Sequence, residues 1–190
     1  MRTSSKSPDV IKGLAAGMVA GLAGAAVMNV VQKQLGKMMG FEERSHGAQS
    51  LQKGTPGHGA GAMLETVGVE DPADDSTERL AQTAAVGLGG AALDRDAKEK
   101  AGTGVHYAFG LSAGAAYGVA AEVFPLATRG TGIPYGAAIW LLADEVVVPA
   151  LGLSKTAEEY STPVHIVSLA SHIAFGATTE VVRRTIRQAI

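Results

Sequence analysis

The chain contains no cysteine, so disulfides, thiolate metal sites and thiol nucleophiles are excluded together. It also lacks an excess of positive charge: the formal net charge is -2, and no concentrated basic face exists to neutralise a phosphate backbone, which excludes nucleic acid as a partner. There is no tandem repeat and no low-complexity run. The glycine-rich stretch around His58, GTPGHGAGAM, has no lysine and no strand-to-helix context, so it is not a phosphate loop. No nucleophile elbow supports a serine hydrolase. With one tryptophan, Trp140, and four tyrosines, the aromatics read as interface or packing residues rather than a ligand cage.

What the chain does have is charge segregation. Of 18 acidic residues, 11 lie between Lys33 and Lys100, with eight of the 16 basic ones; the remainder reads as long uncharged stretches. Residues 13–31 are free of charge, which amounts to about 28 Å of helix, enough to cross a hydrocarbon core. Three further spans are expected at 105–124, stopped by Pro125, at 133–148, stopped by Pro149, and at 164–182, ending in RRTIR. The fold class is therefore all-α: one domain over 1–190, a polytopic bundle of four transmembrane helices with a polar segment, 32–104, between the first two. Within that segment Asp75 or Ser76 is placed to cap a helix from about Thr77 to Leu93, amphipathic or re-entrant. A cleaved leader competes with the first span, although no Ala-x-Ala site follows it cleanly. A soluble helical bundle competes with the whole scheme, since mean hydropathy is only +0.16.

Gly13, Gly17 and Gly21 in the first span, followed by Gly24, and Gly110, Gly114 and Gly118 in the second repeat small residues at intervals of four. Such faces let helix backbones approach closely in lipid, either within the chain or in a homo-oligomer or with another membrane subunit. Basic residues flank the spans: Arg2, Lys6 and Lys12 before the first, Arg129 between the second and third, Arg183, Arg184 and Arg187 after the fourth. By the retention of flanking cations on the cytoplasmic side, both termini are cytoplasmic, with Lys155, Glu158 and Glu159 outside; Lys33 and Lys37 argue the other way.

A charge near the bilayer centre costs about 2.5–3.5 kcal/mol or more, so an ionisable residue there needs a partner, water or a proton. Asp144 lies about 16 Å into the third span from one side and His172 about 12 Å into the fourth from the other, which puts them at similar depth. The pair is a candidate for a charge-assisted hydrogen bond acting as a structural clamp, for proton or cation passage, or, with His106, for a zinc or iron site. Glu145 points about 100° away from Asp144, and His165 shares a face with His172. Glu122 and Glu180 form a second layer at the opposite end, where Arg183 is spaced to pair with Glu180. Ser168 and Ser171 are expected to bond their own helix carbonyls.

The segments HYAFGLSAGAAYGVAAEVFP, PALGL and SHIAFGATTEVVRR resemble the YagU-like family of bacterial inner membrane proteins, a domain of unknown function, over about residues 105–187. The match touches His106, Tyr117, Glu122, Pro149, Gly152, His172, Glu180, Arg183 and Arg184, whereas the acidic segment before His106 does not align. The resemblance implies an inner-membrane location and a link to acid tolerance, and no established reaction. The expected activity is proton or small-cation movement, or a response to pH, through Asp144, His172, Glu122, Glu180 and His106. The competing readings are an assembly protein that binds another subunit and a membrane-embedded metal-binding protein; no other cofactor is expected, and an enzyme is the lesser expectation.

Overall fold

A computed structural model describes residues 9–41 and 52–190; Arg2 and Lys6, used above as orientation markers, lie outside them. The described residues are helical without strands. In chain order the helices are α1 (Val10–Met38), α2 (Gly59–Thr66), α3 (Ser76–Gly87), α4 (Arg95–Val123), α5 (Ile133–Ala150) and α6 (Thr162–Ala189), with short 3-10 turns at Pro125–Thr128 and Ala157–Glu159.

Local chemistry sets the helix ends. The Asp9 carboxylate accepts from the Lys12 amide at the start of α1, and Asp94 accepts from the Ala97 amide at the start of α4. The second long helix thus begins at Arg95, ten residues before the expected span, because a capped and charged first turn is still helix. In α3 the capping residue is Asp75: its Oδ1 accepts from the amides of Thr77 and Glu78, and Glu78 Oε2 accepts in return from the Asp75 amide. That helix ends at Gly87, short of the expected Leu93, because Gly89 takes a left-handed φ of 78° that terminates it. In α5 the residues Trp140–Val147 form a π-helical stretch, which the sequence did not announce.

α1 packs antiparallel against α4 on one side and α6 on the other; α5 packs on α6, and α3 lies on α4. The α1–α4 crossing is backbone against backbone. A Cβ on Gly17 would lie 2.2 Å from the Gly114 carbonyl oxygen, and one on Gly21 would lie 2.1 Å from that of Gly110; Gly13 meets Gly118 in the same way. A second crossing of this kind joins α5 to α6, where Gly132 and Gly136 abut Gly176 and the His172 carbonyl.

These close approaches leave an unusual interior. Alongside Ala16, Ala20, Ala25, Met28 and Phe175, the buried set includes His106, Asp144, Ser168, Ser171, His172, Thr179, Glu180 and Arg183. Leu14, Val19, Leu22, Val27, Val30, Phe109, Leu141, Leu142, Val146, Ile166 and Val181 instead lie on the outside. Among the described residues two helices, α1 and α5, are long and apolar enough to cross a membrane, rather than the expected four. Helices α4 and α6 are long enough but carry the inward-facing histidines, serines, threonines and glutamates, which lower their apolar average.

The GHGAGAM stretch forms the start of α2 and docks on the end of α5. The amides of Ala60 and Gly61 donate to the carbonyls of Leu151 and Gly152, and the His58 Nε2–H donates to the Pro149 carbonyl at 2.8 Å. Its donors are therefore spent on protein carbonyls. Arg79 of α3 ties this region together. Its side chain is fully buried, donating to the Leu153 carbonyl at 2.6 Å, to Glu70 at 3.0 Å, and to the carbonyls of Gly54 and Asp74. We expect Arg79→Met to cost about 3–5 kcal/mol by orphaning the Glu70 carboxylate and several carbonyls. Arg79→Lys should fail to rescue, because one ammonium cannot span the fork. Limited proteolysis across residues 52–95 checks this, and unchanged resistance would contradict it.

Candidate functional site

The site is built where the π-helical stretch of α5 faces α6. Asp144 is 1% exposed and His172 is 4% exposed. His172 Nδ1–H donates to the Ser168 carbonyl one turn back at 2.9 Å, so a neutral His172 presents the lone pair of Nε2 on its other side. That lone pair faces Asp144 Oδ1 at 3.7 Å. At that distance the two are close enough for an ion-pair contact but too far apart for a direct hydrogen bond. The second Asp144 oxygen accepts from the Ser168 hydroxyl at 2.5 Å. Ser168 thus departs from the expected bond to its own helix, whereas Ser171 makes that bond, to the Val167 carbonyl at 2.7 Å.

The next residue of α5 belongs to a second acid–histidine pair. His165 Nδ1 meets Glu145 Oε1 at 2.8 Å while Nε2 meets the Ala157 carbonyl at 3.0 Å. Both ring nitrogens thus have an oxygen within hydrogen-bond distance. Glu145 does point away from Asp144, but it finds a partner on the same neighbouring helix. The wider π turn carries two successive carboxylates toward α6, a geometry that an α-helical periodicity does not anticipate.

A cavity of about 90 Å³ opens beside His172. Its wall is mostly apolar, and its polar groups are His172, His106 and the first turn of α3, Ser76 and Thr77. His106 Nε2–H donates weakly to the Ala25 carbonyl, at 3.4 Å. The Ser76 hydroxyl is buried with no partner among the described residues. The volume suits a few waters, each taking about 30 Å³. His106 therefore shares a cavity with His172 without joining it in a ligand set: among the described residues no three His, Asp or Glu side chains converge as a metal would require.

Above the cavity, an ion network holds α3 on α4. Arg95 pairs with Asp74 at 2.8 Å and with Glu78 at 2.7 Å, and Lys98 pairs with Asp74 at 2.7 Å. Burial pushes the Glu78 carboxyl above its usual range and the adjacent Asp75 adds to this, against the Asp75 amide and Arg95. At the far end of the molecule Glu122 accepts from Arg187 at 2.6 Å and from the Asp9 amide at 3.1 Å, pinning α4, α6 and α1 together. Glu180 is fully buried and accepts from Arg183 at 2.7 Å and from Arg184. Glu122 and Glu180 are thus held by arginines at one end, separate from the Asp144–His172 pair. The residues that sequence reasoning missed are Ser76 and Thr77 at the cavity, and Gly132, Gly136 and Gly176 at the α5–α6 crossing; the glycines carried the same small-residue signal as the first two spans.

No curated protein and no solved structure matches this chain. A family match covers residues 70–181, which takes in α3 and the ion network as well as the site. On that match, the chain belongs to the family described as protein of unknown function (DUF1440).

Proposed function

We propose that the chain is an integral protein of the bacterial inner membrane, with α1, α4, α5 and α6 crossing the bilayer, and that its Asp144–His172 pair takes up and releases one proton in proton or small-cation movement or in a response to pH. The observation that carries this reading is a buried carboxylate and imidazole 3.7 Å apart, inside helices whose bulky apolar side chains face outward. In water such a distribution wastes burial of Leu, Val and Phe; in lipid it is the favourable one. The cavity joining His172 to His106 favours a proton path over a static clamp, which gains nothing from an adjacent void. The basic end formed by Lys12, Arg129, Arg183, Arg184 and Arg187 supports a cytoplasmic placement of both termini. The YagU-like resemblance supports the same location. Assembly with another membrane subunit is the lesser reading, because the glycine faces that would serve it are occupied within the chain.

Trp140, the only tryptophan, begins the π-helical stretch four residues before Asp144 and reports on it. In proteoliposomes its emission should change as pH crosses the histidine range of about 5 to 8, and the change should vanish in His172→Ala. Emission that is flat, or that titrates equally in the variant, would overturn the reading.

A further inference from the structure

Helix α4 packs on α1 and α5 packs on α6, and the two are bridged by Tyr135, whose hydroxyl donates to the Ala113 carbonyl at 2.7 Å and whose ring stacks on Tyr117 at 4.3 Å. What remains between them is an open groove of about 670 Å³. Its floor is small and apolar, with Ala113, Ala116 and Ala120 on α4, and Phe109 and Ile139 close its upper end against the cavity beside His172. From Phe109 to Ala120 the α4 wall runs for about 16 Å, close to the roughly 15 Å of one leaflet of hydrocarbon.

The lower mouth carries Arg129. It is exposed and, unlike its neighbours, its side chain has no carboxylate among the described residues. At this end Lys12 is paired with Asp9, Arg187 with Glu122, and Arg183 and Arg184 with Glu180. The loop bearing Arg129 is fixed by Arg184, which donates to the Thr128 carbonyl at 3.2 Å. An uncommitted guanidinium therefore sits where a leaflet-deep apolar groove reaches the level of the basic cluster.

We infer that this groove binds one anionic phospholipid, an acyl chain lying against Ala113, Ala116 and Ala120 and the headgroup phosphate paired with Arg129. The inference rests on the membrane placement above and is independent of proton handling. A second copy of the chain fits less well, because a helix laid in the groove would have to satisfy Arg129 with an acid, and the acids at this end are already paired.

Native mass spectrometry of detergent-purified protein, titrated with phosphatidylglycerol or with phosphatidylcholine, tests it. Wild type should retain one phosphatidylglycerol in preference to phosphatidylcholine. Arg129→Ala should retain it about tenfold less tightly, as loss of a charge-assisted contact requires. Ala116→Trp, which fills the groove from an exposed position, should abolish retention, and His172→Ala should leave it intact. Protein that needs detergent yet sheds all lipid, binds both lipids alike, retains lipid equally in the Arg129 and Ala116 variants, or forms dimers that block the groove overturns the inference alone. Protein that stays in the aqueous phase without detergent overturns the membrane reading with it.

Discussion

Asp144→Asn should abolish the pH response while leaving the protein folded. Asparagine is isosteric with aspartate: its Oδ1 can accept from the Ser168 hydroxyl, and its amide can donate to the lone pair of His172 Nε2, whose Nδ1–H remains on the Ser168 carbonyl. Every buried polar group then keeps a partner, so little stability is lost. What disappears is the group that exchanges charge with the imidazole. Proton movement driven by a pH gradient in proteoliposomes should fall by about a hundredfold, the lower range for removing a side chain that transfers a proton, and the Trp140 emission should cease to titrate. Asp144→Leu makes the useful contrast. It strands the Ser168 hydroxyl and the His172 nitrogen in the interior, at about 1–3 kcal/mol for each group, so it should damage folding as well. If Asp144→Asn moves protons as wild type does, the pair is a structural clamp and the proposed function is wrong.

Some of this geometry was legible in the residues and some was not, for physical reasons. Depth along a helix follows from residue number alone, so the nearness of Asp144 and His172 needs only the two span boundaries. Side-chain direction also needs the local pitch, and the π-helical Trp140–Val147 stretch changes it; hence Glu145 and His165 form a pair that an α-helical wheel discards. The capping box at Asp75 and Glu78 is written in the sequence DDSTE. That its first turn is buried, placing Ser76 and Thr77 at the cavity, is a tertiary fact set by Arg95 and Lys98 reaching across from α4 and by Arg79 reaching out of α3 to the Leu153 carbonyl. Hydropathy averages count His172, Thr179 and Glu180 against α6 although these are buried, because an average over a helix cannot distinguish a polar interior from a polar exterior.

Gly17→Leu should be strongly destabilising. The new Cβ would lie 2.2 Å from the Gly114 carbonyl oxygen and 2.9 Å from the Gly118 Cα, both backbone atoms, which no rotamer change can move aside. Either α1 and α4 separate along their whole glycine face or the crossing is lost; the cost should be about 3 kcal/mol or more. Separation also withdraws the Ala25 carbonyl from His106 and opens the cavity beside His172, so the Trp140 titration should broaden or vanish together with stability. Gly104→Ala on the same α4 is the control. No atom lies within 4 Å of the added Cβ, and the residue is helical and exposed, so higher helix propensity should make it neutral or stabilising by about 0.5–1 kcal/mol. Thermal unfolding in mild detergent reads both. Equal melting of the two variants would mean that α1 and α4 are not in backbone contact, and that the small residues spaced at four serve a partner outside the chain.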